Sequence, residues 1–112
     1  MAYDIDLVER IREVIATESG LSERRMFGGL AFLLDGHMTV AASGRGGLMA
    51  RVDPDDQGDL LMDPHVSPMV MAGKERRGWV RVEMEALSTQ RSLTTWVNRS
   101  VRFERTLPPK GR

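Results

Sequence analysis

No cysteine occurs among the 112 residues, which excludes disulfides, thiolate metal sites and a thiol nucleophile. Histidine is scarce, with His37 and His65 alone, and a metal site needs more ligands than these; no metal and no other cofactor is expected. Long apolar runs are missing too. The longest, Leu30–Leu34, falls far short of the roughly 20 residues that span a membrane. Near the N-terminus stand Asp4, Asp6 and Glu9, where a signal peptide would carry a basic region ahead of an apolar run. A cytoplasmic protein with no membrane partner is the expectation. The chain also lacks a nucleophile elbow, a paired-carboxylate motif and any Ser or Thr set visibly beside an oriented base, so a non-enzymatic protein is expected.

What is present describes one globular domain over 1–112, with its core at about 4–107 and a tail at 108–112. Apolar residues make up 41% and charged residues 29%, ordinary usage for a chain that buries about two-thirds of its unfolded surface. The formal charge is zero but unevenly spread: residues 1–73 hold 6 Lys/Arg against 12 Asp/Glu, and residues 74–112 hold 10 against 4. A chain split this way can draw a polyanion to one side, its own acidic half, or a second copy.

Leu7, Val8, Ile11, Val14 and Ile15 form one stripe of an amphipathic helix. Asp4 suits its N-cap, Gly20 its left-handed terminator, and Asp6 and Arg10 an i, i+4 pair. Leu30–Leu34 and His37–Ala42 read as a hairpin closed by Asp35-Gly36, because a type I′ turn needs positive φ at both central residues. A two-residue turn opposes Leu34 to His37, Leu33 to Met38, Phe32 to Thr39 and Ala31 to Val40. Ala31, Leu33, Met38, Val40 and Ala42 then share one face, and Leu30, Phe32, Leu34, Thr39 and Ala41 the other. Both faces are largely apolar, so helices can cover one and another segment or a partner must cover the second.

Leu48–Val52 alternates as a half-buried strand. Pro54–Met62 reads as a short helix, with Pro54 in its first turn. Met69–Met71 is a short strand, Gly73–Gly78 a turn, and Trp79–Met84 a strand with Val80, Val82 and Met84 inward. A last helix runs from an N-cap at Ser88 to about Glu104, its stripe Leu93, Trp96, Val97 and Val101. The order α-β-β-β-α-β-β-α predicts a two-layer α+β fold: a five-stranded antiparallel sheet with helices on one side.

Two stretches imitate ligand loops. Asp53, Asp55, Gln57 and Gly58 match the start of a calcium loop, but Pro64 stands where a bidentate Glu is required. Gly44-Arg45-Gly46-Gly47 suggests a dinucleotide loop, yet Met49 replaces its last glycine and a strand follows where a helix should. A helix start and a turn are the better readings.

The segment Met26-Phe27-Gly28-Gly29, the hairpin closing on Asp35-Gly36 with His37-Met38, and Gly47-Leu48-Met49-Ala50-Arg51-Val52-Asp53 together resemble the N-terminal domain of the TfoX/Sxy competence regulators. Further on, Met69-Val70-Met71, Arg77-Gly78-Trp79-Val80-Arg81-Val82, Trp96-Val97 and Leu107-Pro108-Pro109-Lys110 are similar to single-domain bacterial members. The likeness runs from about Leu7 to Lys110. It implies a two-layer fold similar to secretion chaperones and a binding or regulatory role. The full-length regulators add a C-terminal helical domain and promote expression of DNA-uptake genes. No catalytic residues are established for the family, so none transfer.

Three functional classes follow. The leading expectation is a non-enzymatic regulatory module acting through protein–protein contact or self-association, with a homodimer as the first partner state. Its candidate contact residues are Phe27, Gly28, Gly29, Phe32 and Trp79. Nucleic-acid binding through the basic half would use Lys74, Arg76, Arg77, Arg81, Arg91, Arg99, Arg102 and Arg105. The four helical arginines fall within about 120° of arc, opposite the apolar stripe. A small-ligand carrier or enzyme would use a groove beside Phe27, opened by the two glycines; those glycines fit a bend at the start of a strand equally well.

Overall fold

The computed structural model describes residues 3–26 and 28–108. Phe27 and the tail from Pro109 lie outside the described residues. The first helix, α1 (Ile5–Ile15), starts where Asp4 Oδ1 accepts the Leu7 N–H at 3.1 Å, and it buries Leu7, Val8, Ile11 and Ile15. It ends at Ala16, four residues before the expected terminator; Gly20 instead leads into a strand, and its carbonyl accepts the Asp35 N–H at 3.0 Å. Arg10 does not pair with Asp6. Its guanidinium donates to the Leu87 carbonyl (2.5 Å) and to Gln90 Oε1 (3.1 Å), tying α1 to the start of the last helix.

The sheet has six strands where five were predicted: β1 (Leu21–Met26), β2 (Gly29–Leu34), β3 (His37–Ala42), β4 (Leu48–Arg51), β5 (Val66–Met71) and β6 (Lys74–Val82). All neighbours are antiparallel, in the order β1-β2-β3-β4-β6-β5. The added strand, β1, is an edge whose middle residues, Ser22 to Arg25, are exposed, so it carries no apolar periodicity. Backbone pairing with β2 holds it in place, and its charged side chains blunt the edge.

Pro54–Asp56 forms a 3₁₀ turn capped by Asp53, whose Oδ1 accepts the Asp55 N–H, and α2 (Gln57–Leu60) follows. The calcium-like spacing is thus a helix start. The last helix, α3 (Gln90–Glu104), is capped by Thr89, one residue after Ser88; Thr89 Oγ1 accepts the Ser92 N–H at 3.1 Å. No described helix is long and apolar enough to cross a membrane.

One face of the sheet packs against α1 and α3. Leu30, Phe32, Leu34, Val40, Ala42, Leu48, Ala50, Val80 and Val82 meet Leu7, Val8, Ile11 and Ile15 from α1 and Leu93, Trp96, Val97 and Val101 from α3. Phe32 is the largest fully buried side chain among the described residues, and truncating such a residue costs about 3–5 kcal/mol.

The predicted register of the β2–β3 hairpin holds for two pairs and then slips. Leu34 opposes His37 and Leu33 opposes Met38, but Phe32 opposes Val40, Ala31 opposes Ala41 and Leu30 opposes Ala42. Thr39 is the extra residue of a β-bulge. Val40 and Ala42 therefore join Phe32 under the helices, and Ala41 joins Ala31 on the other side, the reverse of the sequence reading. Asp35 (φ +52°) and Gly36 (φ +84°) form the expected turn.

The β5–β6 hairpin is longer than expected. Its turn is Ala72-Gly73, with positive φ at both, and β6 starts at Lys74 inside the stretch read as a turn. The β5–β6 register also shifts between Pro68 and Val70. Opposite that shift the Gly78 N–H donates to Gln57 Oε1, and its carbonyl accepts the Val52 N–H.

Two substitutions probe this backbone. A Cβ on Gly29 would overlap the Ala42 carbonyl oxygen, an obstacle that cannot rotate away, so Gly29→Ala is expected to destabilise by about 1–3 kcal/mol. Ala72 holds φ at +54°, where an L side chain is strained; Ala72→Gly is expected to stabilise by up to about 1 kcal/mol. Urea unfolding midpoints of the two variants should move in opposite directions.

Candidate functional site

The opposite face of the sheet carries a second apolar cluster. Ala31, Leu33 and Ala41 are buried there, with Met26, Met38 and Met49 packed against them. Every member comes from a strand. Register sets one row straight across the sheet: Arg24 opposes Ala31, Ala31 opposes Ala41, Ala41 opposes Met49, Met49 opposes Arg81 and Arg81 opposes Ser67. Two alanines in mid-row leave a shallow trough, and thioether side chains from three neighbouring strands close over it. That shelter keeps Ala31 and Leu33 at 1% and 6% exposure within a single chain. The covering of this ribbon is thus built partly from its own neighbours.

Beyond Met49 the face becomes cationic and aromatic. The Arg51 guanidinium lies 6.0 Å from the ring centre of Trp79 and 5.6 Å from that of Phe103, a residue of α3, within cation–π range. Arg81 donates from Nη1 to Ser43 Oγ (3.0 Å) and from Nη2 to the carbonyls of Gly46 (2.5 Å) and Arg45 (3.3 Å). It thereby ties the β3–β4 turn to β6.

The residues singled out for contact are not brought together. Phe27 lies outside the described residues. Phe32, fully buried against the helices, holds the core and offers nothing to a partner. Gly28 is exposed, and Gly29 is buried where β2 passes close to Ala42 and Gly44. Gly29 therefore serves close backbone packing, and Gly28, with open space around it, supplies a positive φ (+77°). Of the set, Trp79 stands on the outward face, half-buried beside Arg51.

The basic residues are dispersed. Lys74, Arg76 and Arg77 are exposed on the β5–β6 hairpin, while Arg81 is occupied by the turn. Arg91 and Arg99 line a cavity of about 420 Å³ shared with Asp59 and Asp63, and Arg99 stacks 4.5 Å over Trp96. Arg102 is exposed. Arg105 pairs with Glu18 and Asp35, each at 3.0 Å, and donates to the Ser19 carbonyl.

Two clusters were not visible in the linear order. His65, Glu83 and Glu85 bring ligand atoms within 4.8 Å of one another, with His65 Nδ1 at 3.4 Å from Glu83 Oε2. The other lies on α3, where Ser100 Oγ and Glu104 Oε2 are buried without a hydrogen-bond partner among the described residues. Burial pushes the Glu104 carboxyl above the usual carboxylate range; Arg105, 3.6 Å away, opposes this. Glu23 behaves oppositely. The two hydrogen bonds that Arg12 donates to it, each 2.8 Å, hold its carboxyl below the usual range.

A two-layer α+β domain with one helix-covered face and one adaptable, strand-built face is a frame for binding. The comparisons agree with that class. The family model described as the TfoX N-terminal domain matches residues 13–104, and the chain belongs to this family. At the family level this makes it a regulatory or binding module. The crystal structure of the Deinococcus radiodurans protein DR2400, which carries a DUF419 domain, has the same fold. Its TM-score is 0.67 at 19% identity, over 93% of this chain and 92% of that one. Comparison with curated proteins gives no match.

Glu104 supplies a pH test. With its folded-state carboxyl titrating above the unfolded value, the native state keeps a proton that the unfolded chain has lost, so stability falls as pH rises between the two. Glu104→Gln removes this dependence. Relative to wild type, the variant should gain stability from about pH 4 to about pH 8, as read from urea midpoints. An equal difference at both ends would assign Glu104 no such role.

Proposed function

We propose that this chain is a non-enzymatic binding module that works by protein–protein contact through the helix-free face of its sheet, with a second copy as its first partner. One observation carries the reading: Met26, Met38 and Met49 ring the Ala31–Ala41 trough, and among the described residues no helical side chain joins that cluster. Unbranched thioethers change shape at little cost and are over-used at binding surfaces that must adapt. The charge balance supports a like partner, since the acidic first part of one chain complements the basic last part of another.

Sedimentation velocity at tens of micromolar, the range of a modest interface, tests this. The wild type should run heavier than 12.6 kDa, and Met38→Glu should run as a monomer with an unchanged circular dichroism spectrum. A wild type that stays at 12.6 kDa removes self-association.

A second reading, contact with nucleic acid, draws support from Lys74, Arg76 and Arg77, which are exposed close together on one hairpin. For this reading, RNA or DNA affinity should drop steeply as salt rises from about 50 mM, and Arg76→Ala with Arg77→Ala should flatten that slope.

A further inference from the structure

A cavity of about 410 Å³ opens where β4, β6 and β5 meet the β3–β4 turn, a volume suited to a small molecule. Its lining divides by chemistry. Met49, Met69, Val70 and Met71 give it an apolar wall, and Arg45 and Arg81 supply two guanidinium groups. No carboxylate lines it, and neither arginine forms an ion pair among the described residues. Arg81 has spent three of its five N–H donors on neutral oxygens, leaving Nε–H and one Nη1–H free among the described residues. The side chain of Arg45 makes no hydrogen bond among the described residues, and its residue is exposed at the turn.

Positive charge without a counter-charge, facing a methionine wall, selects for an anion with an apolar body. A carboxylate can take a single hydrogen bond from a donor left on Arg81 and the rest from the unengaged guanidinium of Arg45. The methionines can mould themselves around a linear chain.

We propose that this cavity binds a small organic carboxylate with an unbranched apolar tail. Its headgroup sits on Arg45 and Arg81, and its tail lies along Met49, Met69 and Met71. The site shares Met49 with the proposed contact cluster but does not require that face to be a protein contact, because Met26 and Met38 lie outside it.

The test is a methionine-methyl NMR titration of the full chain with octanoate, alongside 1-octanol and octylammonium, which keep the tail and lose the negative charge. Octanoate should shift Met49, Met69 and Met71 saturably and leave Met26 and Met38 in place. Octanol should bind at least about tenfold more weakly, and octylammonium should not bind. Two exposed positions supply variants that spare the core. Arg45→Ala should weaken octanoate about tenfold, and Val70→Glu, at a residue 61% exposed, should abolish binding without altering the amide spectrum. Equal affinity for octanoate and octanol, shifts centred on Met26 or Met38, an Arg45→Ala variant that binds like wild type, or no saturable shift by ~10 mM overturns the proposal. None of those results bears on whether the chain self-associates.

Discussion

The extra residue at Thr39 governs which side chains reach each face of the sheet. A strand places alternate residues on opposite faces, so a one-residue slip moves every later side chain across. Without the bulge, Val40 and Ala42 would point away from the helices, and Ala41 would sit beside Phe32 and leave a hole in the core. With it, Val40 fills that space and Ala41 lands next to Ala31. The Thr39 hydroxyl, fully buried, donates to the His37 carbonyl at 3.3 Å, so the irregularity leaves that hydroxyl satisfied. The core under α1 and α3 and the trough on the other face are two consequences of the same insertion.

Much of the frame could be read from residue order because the signals were local. Asp4 caps α1, Asp35-Gly36 takes the left-handed geometry expected of it, and Leu93, Trp96, Val97 and Val101 form the buried stripe of α3. What escaped was set by partners distant in sequence. β1 exists because β2 offers it a row of backbone groups; its own side chains are mostly wet and charged. The Ala72-Gly73 turn escaped because alanine seldom adopts positive φ, and only the pairing of β5 with β6 holds it there. The two-faced apolar ribbon was legible, but the faces of Val40, Ala41 and Ala42 were not, since a bulge leaves no mark in an alternating pattern. The candidate site was less legible still. Phe32 is large and lies near a glycine pair, which suits a contact residue and a core residue alike, and only its burial decides between them.

The uneven charge is partly consumed within the chain. Arg105, from the basic end, meets Glu18 and Asp35 from the acidic part, and Arg10 of α1 reaches forward to the neutral Leu87 carbonyl and Gln90 Oε1. Arg91 and Arg99 share a cavity with Asp59 and Asp63. Such contacts hold α3 against both α1 and the β2–β3 turn. They also break up the arginine stripe that its helical spacing suggested. Exposed pairs of this kind add little stability individually, and their effect is to fix the orientation of α3 over the sheet.

Met49 joins the two regions of the helix-free face. It packs against the Ala31–Ala41 cluster on one side and lines the cationic cavity on the other. Neighbouring strands lie about 4.8 Å apart, so in the row Ala31, Ala41, Met49, Arg81 the apolar trough and the guanidinium of Arg81 are separated by little more than this one side chain. Methionine has three rotatable bonds and no branch, and it can lean toward either neighbour without disturbing the backbone. Among the described residues Met49 is the one side chain that the trough and the cavity share, so a change at this position reaches both.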